Sequence, residues 1–331
     1  MALMRGDFPP HLILHGGVWE TMKPIVTLTL NPTIDAASKA ETVRPTHKVR
    51  TFDERYDPGG GGINVARVIN ELGGRSLAVY LAGGLTGGVL DNMVKRAGVR
   101  HWTVPIAGLT RVSHVVHELS TGREFRFTPE GPEILEEEWR TCLEQLTMLD
   151  FDYLVASGSL PRGVPEDFYR TAAGIAAAKR AKFVLDTSGP ALKAALGHGI
   201  HLAKPSRGEL EGLTGRDLKD SDVLVSAAQE LVASGAVEHL VITMGHEGAL
   251  LVSAAAVKRL RAPEVEVRSA VGAGDSFVAA MTLGLALGRR LDEAFTLGVA
   301  AGTATVTTIG TELCRREVVE ALYGTLMQEQ P

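Results

Sequence analysis

The 331-residue sequence has few cysteines, few aromatic residues and no long apolar run. Its two cysteines, Cys142 and Cys314, lie far apart without a CxxC spacing. Neither a disulfide framework nor a zinc site is therefore indicated, and we expect both thiols to pack in the core of a protein in the reducing cytoplasm. Apolar stretches such as 278–288 end well short of the ~18 to 20 residues of a membrane span. No interaction with a membrane is predicted.

Neither the positively nor the negatively charged residues form a long run in the sequence. Lysine and arginine number 34 against 39 acidic residues, for a formal net charge of -5. Proteins that bind nucleic acid or an anionic membrane surface usually carry a basic patch, so neither partner is expected. The sequence also lacks GxxxxGK[ST] and GxGxxG, which excludes a Walker-type and a Rossmann-type nucleotide site.

Short β-rich runs alternate with longer helical patterns along most of the chain. The predicted strands cover residues 25–30, 76–81, 153–156, 183–185, 201–203 and 240–243. The predicted helices cover residues 63–72, 166–179, 222–233, 275–287 and 292–307, with apolar residues three to four positions apart. Repeated strand–helix–strand units predict an α/β fold with a mostly parallel sheet that has helices on both faces.

Three segments fall outside that alternation. Residues 36–57 and 112–131 lack helical periodicity and predict strands of a small β-sheet beside the core. Such a sheet can act as a lid over a site, or pair with its copy in a second subunit to cover its edges. Residues 1–22 are interpreted as an N-terminal extension, and residues 23–331 as one domain.

A glycine-rich turn near the carboxyl end leads directly into an apolar helix. In Ser269-Ala-Val-Gly-Ala-Gly-Asp-Ser276, the unpaired amides of the first helical turn can hold an anion. Asp275 can accept a proton from a hydroxyl whose oxygen attacks a phosphoryl group held by those amides. The alternative from this segment alone is an acidic residue that begins an ordinary helix.

Four consecutive glycines precede another helix in Pro58-Gly-Gly-Gly-Gly-Ile-Asn-Val-Ala-Arg67. Their conformational cost suggests that a ligand approaches the backbone closely, and the amide of Asn64 can bind sugar hydroxyls. A hinge between lid and core is the alternative. Asp35, beyond the first strand, can accept two hydroxyl hydrogen bonds or can be a turn residue. The pairs His114/His117 and His198/His201 are interpreted as surface or lid packing rather than metal ligands.

Segments 58–67 and 271–276 resemble the two signature motifs of the ribokinase-like, PfkB-type sugar kinases. Segments 29–35, 157–163 and 186–189 resemble further motifs of that family in the same order, so the resemblance extends from Ile25 onward. It implies a three-layer α/β/α core with a small β-sheet lid used in dimerisation. The glycine-rich motif is most similar to its form in the minor bacterial 6-phosphofructokinases.

The resemblance implies transfer of the ATP γ-phosphoryl group to a sugar phosphate, above all to the 1-hydroxyl of fructose 6-phosphate. Asp275 would be the base, beside an anion hole of Gly272, Ala273 and Gly274. The implied sugar-phosphate residues are Asp35, Lys48, Arg50, Gly60, Gly61, Asn64, Arg111 and Ser159. Fructose 1-phosphate and tagatose 6-phosphate remain alternative substrates, and a catalytically weak sugar or nucleotide sensor is an alternative function.

The resemblance also implies sites for ATP, Mg²⁺ and a monovalent cation such as K⁺. The implied nucleotide residues are Asp186, Lys204, Ser206, Thr243, Gly245 and Gly248, with Glu209 organising magnesium through water and phosphate. The implied oxygen donors for the monovalent cation come from Ser269, Val271, Thr305, Thr308 and Gly310. Two residues depart from the pattern: Ser206 replaces an asparagine, and Glu312 replaces a basic residue.

Overall fold

Nine strands form the main sheet of the structure, a computed structural model that describes residues 22–328. They are β1 (Ile25–Thr29), β4 (Ser76–Gly83), β5 (Arg100–Ile106), β8 (Tyr153–Ser157), β9 (Lys182–Asp186), β10 (Ile200–Ala203), β11 (His239–Thr243), β12 (Ala249–Ser253) and β13 (Val257–Leu260). The remaining strands are β2 (Thr33–Ala40), β3 (Phe52–Gly59), β6 (Arg111–Glu118) and β7 (Glu124–Phe127), which form a second, four-stranded sheet.

Ten α-helices connect these strands in the described part of the chain. They are α1 (Gly61–Glu71), α2 (Gly84–Arg96), α3 (Glu136–Met148), α4 (Phe168–Ala178), α5 (Gly189–Ala195), α6 (Arg207–Thr214), α7 (Ser221–Ala233), α8 (Ala273–Ala286), α9 (Leu291–Val306) and α10 (Arg316–Gln328). None of the helices between residues 22 and 328 combines the length and the hydropathy that a bilayer crossing requires.

The main sheet has the order β13-β12-β11-β10-β9-β8-β1-β4-β5. All neighbouring pairs are parallel except β11–β12 and β12–β13 at one edge, where β12 runs against the other strands. The chain extends from β1 to β4 and β5 on one side, and then returns to build the other side from β8 outward. This reversal creates a crevice at the carboxyl ends of β1 and β8, where doubly wound sheets bind ligands.

Helices cover both faces of the sheet, as the alternating pattern predicted. Successive residues of β1 point to opposite faces, so Val26 and Leu28 pack in the apolar cluster of α3 to α7, and Ile25 packs with α1, α8 and α9. Cys142 and Cys314 are buried free thiols in these two layers. The α/β prediction is confirmed, although strands β5, β12 and β13 were not among the predicted ones.

The second sheet is built from the two stretches that lacked helical periodicity. Its order is β3-β2-β6-β7, with β2 and β6 parallel and the outer pairs antiparallel. The first stretch begins three residues earlier than predicted, at Thr33, and its segment 41–51 is a connection rather than a strand. Residues 1–21 of the predicted N-terminal extension lie outside the described residues.

Candidate active site at the carboxyl ends of the central strands

Three polar residues end or follow adjacent strands of the main sheet and face the start of α8. Ser157 is the last residue of β8, Asp186 is the last residue of β9, and Lys204 follows β10. Because parallel strands end at the same edge, these three side chains share one corner with Asp275 in the first turn of α8. The residues that the motifs predicted separately are therefore brought together by the sheet.

Asp275 is held by two hydrogen-bond donors from different elements. Asn64 Nδ2 donates to its Oδ2 at 2.9 Å, and Ser157 Oγ donates to its Oδ1 at 3.3 Å. Burial of the carboxyl group, together with the negative charge of Asp186, raises the pKa of Asp275 to about 7, although the residue keeps an opening to solvent. A carboxylate with a pKa near neutral pH is suited to general-base catalysis.

Lys204 and Asp186 form a buried ion pair beside this carboxylate. Lys204 Nζ lies 3.1 Å from Asp186 Oδ1, and the lysine is almost fully buried. Burial alone would lower the pKa of Lys204, but the negative charges of Asp186 and Asp275 outweigh it and the pKa is raised. A permanent positive charge is thus fixed next to Gly274, whose absent Cβ would lie only 3.1 Å from Lys204 Nζ.

The anion-binding turn has the geometry predicted for it. Gly272 occupies the position before the first helical residue with φ 75°, the left-handed conformation that favours glycine. The amides of Ala273 and the next residues have no acceptor one turn earlier in the helix, so they face the crevice with partial positive charge. Their role as an anion hole stays a prediction.

The four glycines of 59–62 are required by close packing of the protein itself. A Cβ at Gly59 would lie 2.0 Å from Asp35 Oδ2, one at Gly61 would lie 2.1 Å from Ser157 Oγ, and one at Gly62 would lie 2.5 Å from the carbonyl oxygen of Leu28. Protein atoms therefore occupy the side-chain space of this motif. The close packing of the protein thus explains these glycines in part, and the approach of a ligand to Gly60 and Gly61, next to Ser157, stays a prediction.

Asn64 is fixed by a charged network behind it. Arg67 Nη1 donates to Asn64 Oδ1 at 3.2 Å and to the carbonyl oxygen of Pro58 at 2.8 Å, while Arg67 Nη2 lies 3.4 Å from Asp57 Oδ1. Because the arginine occupies the amide oxygen, the amide nitrogen of Asn64 is the end that points to Asp275.

The network continues to the residue that departs from the family pattern. Asp57 also accepts hydrogen bonds from Thr311 Oγ1 at 2.7 Å and from Arg55 Nε at 2.7 Å. Arg55 in turn contacts Glu312, so strand β3 of the small sheet is tied to the segment after α9. The acidic residue at position 312 is thereby paired with an arginine of the small sheet.

Asp35 and Arg111 face one another at the base of the small sheet. Burial raises the pKa of Asp35 to about 6, although Arg67 and Arg111 lower it. Arg111 donates to the carbonyl oxygens of Pro129 and Asn31, both at 2.8 Å, while its Nε is buried without a partner within residues 22–328. The Arg111 residue is partly exposed, so an anionic ligand can approach its guanidinium group.

The other predicted sugar-phosphate residues are solvent-exposed. Lys48 and Arg50 lie in the connection between β2 and β3, not in the strand that had been predicted there, and form no ion pair among the described residues. Ser159 is exposed two residues beyond β8. The neighbouring Ser157, which was not selected from the sequence, is the serine that contacts Asp275.

The predicted nucleotide residues lie along the next strand ends. Ser206 caps α6, where its Oγ accepts from the Glu209 amide at 3.3 Å and Glu209 Oε2 accepts from the Ser206 amide at 2.7 Å. Ser206 is also bridged to Thr243. Gly248 has φ 92° and no room for a Cβ, which would lie 1.9 Å from a carbonyl oxygen, whereas Gly245 borders open space. Ser206 thus serves as a helix cap, a role in which serine and asparagine are about equally effective.

Three of the predicted cation residues, Ser269, Thr305 and Thr308, lie where segment 268–272 meets the end of α9. The amide of Ser269 lies 3.4 Å from the Val306 carbonyl oxygen, and the hydroxyl of Thr308 lies 2.7 Å from the carbonyl oxygens of Thr305 and Glu312. Thr305 Oγ1 instead donates to Ser276 Oγ at 2.7 Å. Carbonyl and hydroxyl oxygens collect here, as a hard monovalent cation requires.

Residues 26–317 match the model of the pfkB family carbohydrate kinases. The chain belongs to that family. It is 42% identical to the ATP-dependent 6-phosphofructokinase isozyme 2 of Mycobacterium tuberculosis over 92% of this chain and 91% of the relative. It is 39% identical to the Escherichia coli protein of the same name, over 92% of this chain and 99% of the relative. The 1-phosphofructokinase of Bacillus subtilis is 35% identical, over 90% and 97% of the two chains.

Solved structures of this pfkB family share the fold. Escherichia coli phosphofructokinase-2 in complex with potassium superposes with a TM-score of 0.89 at 39% identity, over 92% of this chain and 100% of the other. The same enzyme in complex with fructose-6-phosphate gives a TM-score of 0.88 at 38% identity, again over 92% and 100%. The ribokinase-like fold and the kinase class predicted from the motifs are confirmed.

Sequence reasoning missed three residues of this pfkB kinase site. The first is Ser157, which contacts Asp275 and approaches Asp186. The second is Arg67, which orients Asn64. The third is Asp57, which joins Arg67 to the small sheet. Arg67 and Ser157 were inside the quoted motifs, so the signal was present in the sequence. A charged residue seven positions into a buried helix face, such as Arg67, indicates that an acidic partner lies nearby.

Proposed function

We propose that this chain is an ATP-dependent kinase that phosphorylates the 1-hydroxyl of fructose 6-phosphate. The observation that carries the proposal is the position of Asp275, with a pKa of about 7, beside the unpaired amides of α8 and the Lys204 charge. In the reaction, the hydroxyl oxygen attacks the γ-phosphorus of ATP, its proton passes to Asp275, and ADP leaves. The amides of Gly272 to Gly274 and Lys204 offset the negative charge of the transferred group.

The sugar phosphate would bind between the small sheet and α1. Asp35 and Asn64 offer oxygen and nitrogen atoms to the sugar hydroxyls, next to the backbone of Gly60 and Gly61. Arg111, whose charge acts on the neighbouring Asp35, would contact the phosphate through the exposed part of its guanidinium group. Lys48, Arg50 and the exposed Ser159 would reach the ligand as the small sheet closes over it, which makes that sheet a lid.

The nucleotide would lie over β10 and β11, along Asp186, Ser206, Thr243, Gly245 and Gly248. Glu209 is suited to organise Mg²⁺, because the helix cap uses only one of its carboxylate oxygens. When bound, magnesium supplies neutralisation of the phosphate charges. The oxygen-rich corner of Ser269, Val271, Thr305, Thr308 and Gly310 fits K⁺, which would stabilise the neighbouring anion-binding turn. The proposed substrates place the enzyme in the cytoplasm.

We also propose a homodimer through the lid sheet. The sheet exposes Phe52, Tyr56 and Phe127 at 44, 57 and 55% of their surface, and Tyr56 and Phe127 line a 350 Å³ hollow. Large apolar side chains grouped on one open sheet face are typical of a protein contact. Phe127→Asp should convert the dimer to a monomer in light scattering, and Leu85→Asp, at an exposed position of α2, should leave it dimeric. An unchanged dimer in Phe127→Asp would contradict this assignment.

A substrate panel tests the proposed function. ADP release would be measured with magnesium, with and without potassium, for fructose 6-phosphate, fructose 1-phosphate, tagatose 6-phosphate and free fructose. We expect kcat/KM for fructose 6-phosphate to exceed each of the others at least ~10-fold, since one well-placed polar contact is worth that much. Preference for fructose 1-phosphate would instead assign a 1-phosphofructokinase, and ligand binding without turnover would assign a sensor.

A further inference from the structure

A second cluster of polar side chains lies at the opposite end of the sheet from the crevice. His201 is the second residue of β10, His239 is the first residue of β11, and Glu238 precedes it. One ligand atom from each of the three side chains lies within 4.8 Å of the others. At ~3.3 Å per residue, His201 is ~10 Å along the strand from Lys204. The kinase site therefore does not use this cluster.

A β-bulge places His201 in the cluster. Ile200 and Leu202 pair with Phe183 and Val184, which are consecutive, so His201 is an extra residue in its strand. Bulges redirect a side chain that would otherwise follow the alternation of the strand. On the other side of β10, Leu202 pairs with His239, and the Glu238 amide donates to the Ile200 carbonyl oxygen at 3.0 Å. The sequence analysis interpreted His198 and His201 as packing residues, and the fold places His239, not His198, beside His201.

The geometry points to a divalent transition-metal site, best suited to Zn²⁺, formed by His201, Glu238 and His239. His201 Nδ1 lies 2.7 Å from Glu238 Oε2, and His239 Nε2 lies 3.5 Å from Glu238 Oε1. Tetrahedral zinc separates its ligand atoms by about 3.3 Å. Small rotations of the side chains would therefore place two imidazoles and one carboxylate around the ion, with the fourth position open to water.

The exposure of the three side chains fits a site that an ion enters from solvent. The two imidazoles are largely buried, with 9% of the His201 and 17% of the His239 side chain exposed. The Glu238 side chain is 54% exposed, which leaves the cluster open to an ion from solvent.

Lys182 is the one lysine or arginine of residues 22–328 that pairs with the proposed site. Its Nζ lies 3.6 Å from Glu238 Oε2, and its side chain is half-exposed, so it can turn outward when the ion binds. Its charge still opposes a divalent ion. Lys182→Met should therefore tighten zinc binding about three- to tenfold, an effect that a purely structural ion pair does not predict.

Calorimetric titration of Zn²⁺ into the chelator-treated full chain at pH 7.5 tests the proposal. We expect one bound ion per chain, a higher melting temperature with Zn²⁺ than with Ca²⁺, and binding weakened at least ~10-fold in Glu238→Gln and His239→Gln. His198→Gln, an exposed histidine three residues from His201, is the matched control and should bind normally. Turnover of Glu238→Gln should remain that of the parent chain.

Two results would overturn the metal site. One is the absence of zinc binding to the parent chain at micromolar concentrations. The other is binding that Glu238→Gln, His239→Gln and Lys182→Met leave unchanged, because the ion would then be held elsewhere. Circular dichroism of each variant without metal tests whether it is folded. Glu238→Gln changes a half-exposed position and keeps both buried imidazoles, so it still tests the site if the histidine variant does not fold.

Discussion

The amide nitrogen of Asn64 donates a hydrogen bond of 2.9 Å to the carboxylate of Asp275, although 211 residues separate them in the chain. The first residue belongs to α1 and the second to α8, and these helices pack together on one face of the main sheet. Arg67 fixes the orientation of the amide by occupying its oxygen. The proposed base is therefore held by residues of the other glycine-rich motif, so the two motifs form one site.

Replacing the carboxylate of Asp275 tests its role as a base. Asp275→Asn should lower kcat at least ~100-fold, the lower end for a positioned base, while ATP binding measured by calorimetry remains. The amide oxygen can still accept from Asn64, and the amide NH2 group can donate to the Ser157 hydroxyl, so folding should not suffer. Near-normal turnover in a correctly folded variant would remove Asp275 from the mechanism.

The same variant should change how stability depends on pH. Because the folded-state pKa of Asp275 is raised to about 7 from 3.8, its contribution to stability is present below pH 4 and is lost as pH rises to 7. Asp275→Asn should thus be more stable than the parent at pH 8, by up to about 4 kcal/mol, and the gain should shrink towards pH 4. Chemical denaturation at several pH values measures this difference.

The pKa of Asp275 predicts the acidic limb of the rate profile. Only the ionised carboxylate can accept a proton, so kcat/KM should fall about tenfold per pH unit below pH ~7. The hydrogen bond from Asn64 lowers this pKa, and Asn64→Ala should move the limb to higher pH. If the acidic limb of the Asn64→Ala profile does not move and only KM rises, Asn64 acts in sugar binding only.

The buried Lys204–Asp186 pair predicts opposite effects of single and double substitutions. Lys204→Met leaves Asp186 without its cation and should cost about 3 kcal/mol of unfolding free energy. Loss of the lysine charge should also raise the pKa of Asp275 and shift the rate profile to higher pH.

The double variant Lys204→Met/Asp186→Asn provides the control. It removes both charges, so most of the stability and the position of the acidic limb should be regained, even though phosphate stabilisation by the lysine is lost. If the double variant is less stable than Lys204→Met alone, the two residues do not act as a pair.

The glycines of the first motif predict a contrast between two alanine substitutions. Gly61→Ala would place a Cβ 2.1 Å from Ser157 Oγ and 2.8 Å from the Ser157 backbone carbon, which should cost about 2–3 kcal/mol. Gly88→Ala, in the exposed face of α2 where no atom lies within 4 Å, should stabilise the protein by up to about 1 kcal/mol. Thermal melting of both variants checks the contrast, and a stable Gly61→Ala would show that the crevice floor is adaptable.

The central strands and most of the long helices were predictable because their local signals agree with the final fold. Residues 153–156 and 240–242 are buried apolar runs, and α8 begins at Ala273, directly after Gly272 and two residues before the predicted start at Asp275. Strand β5 was missed because its residues Arg100, His101 and Trp102 are partly exposed at the sheet edge, where no apolar run is required. Helix α3 was missed because it begins with three glutamates, which interrupt the apolar pattern of a helix in the sequence.

The chemistry of the site could be predicted from the motifs, but the partners of each side chain could not. The position of Asp275 at a glycine-rich helix start is a local property. Its contacts with Ser157 and Asn64, and the pairing of Lys204 with Asp186, depend on which strands are neighbours in the sheet. The residue types do not indicate the order of the strands in the sheet, and the sequence does not indicate the bulge at His201.

The amino-acid sequence by itself determined the fold class, the family and the type of reaction, because these follow from periodicity and from motifs that are contiguous in the chain. Only the tertiary structure decided that protein atoms pack against Gly59 to Gly62, that Glu312 contacts Arg55, and that His201 meets Glu238 and His239. These contacts join residues far apart in sequence, and the order of strands and the packing of side chains set their distances. The pKa of Asp275 likewise depends on burial and on Asp186, which only the folded chain brings near.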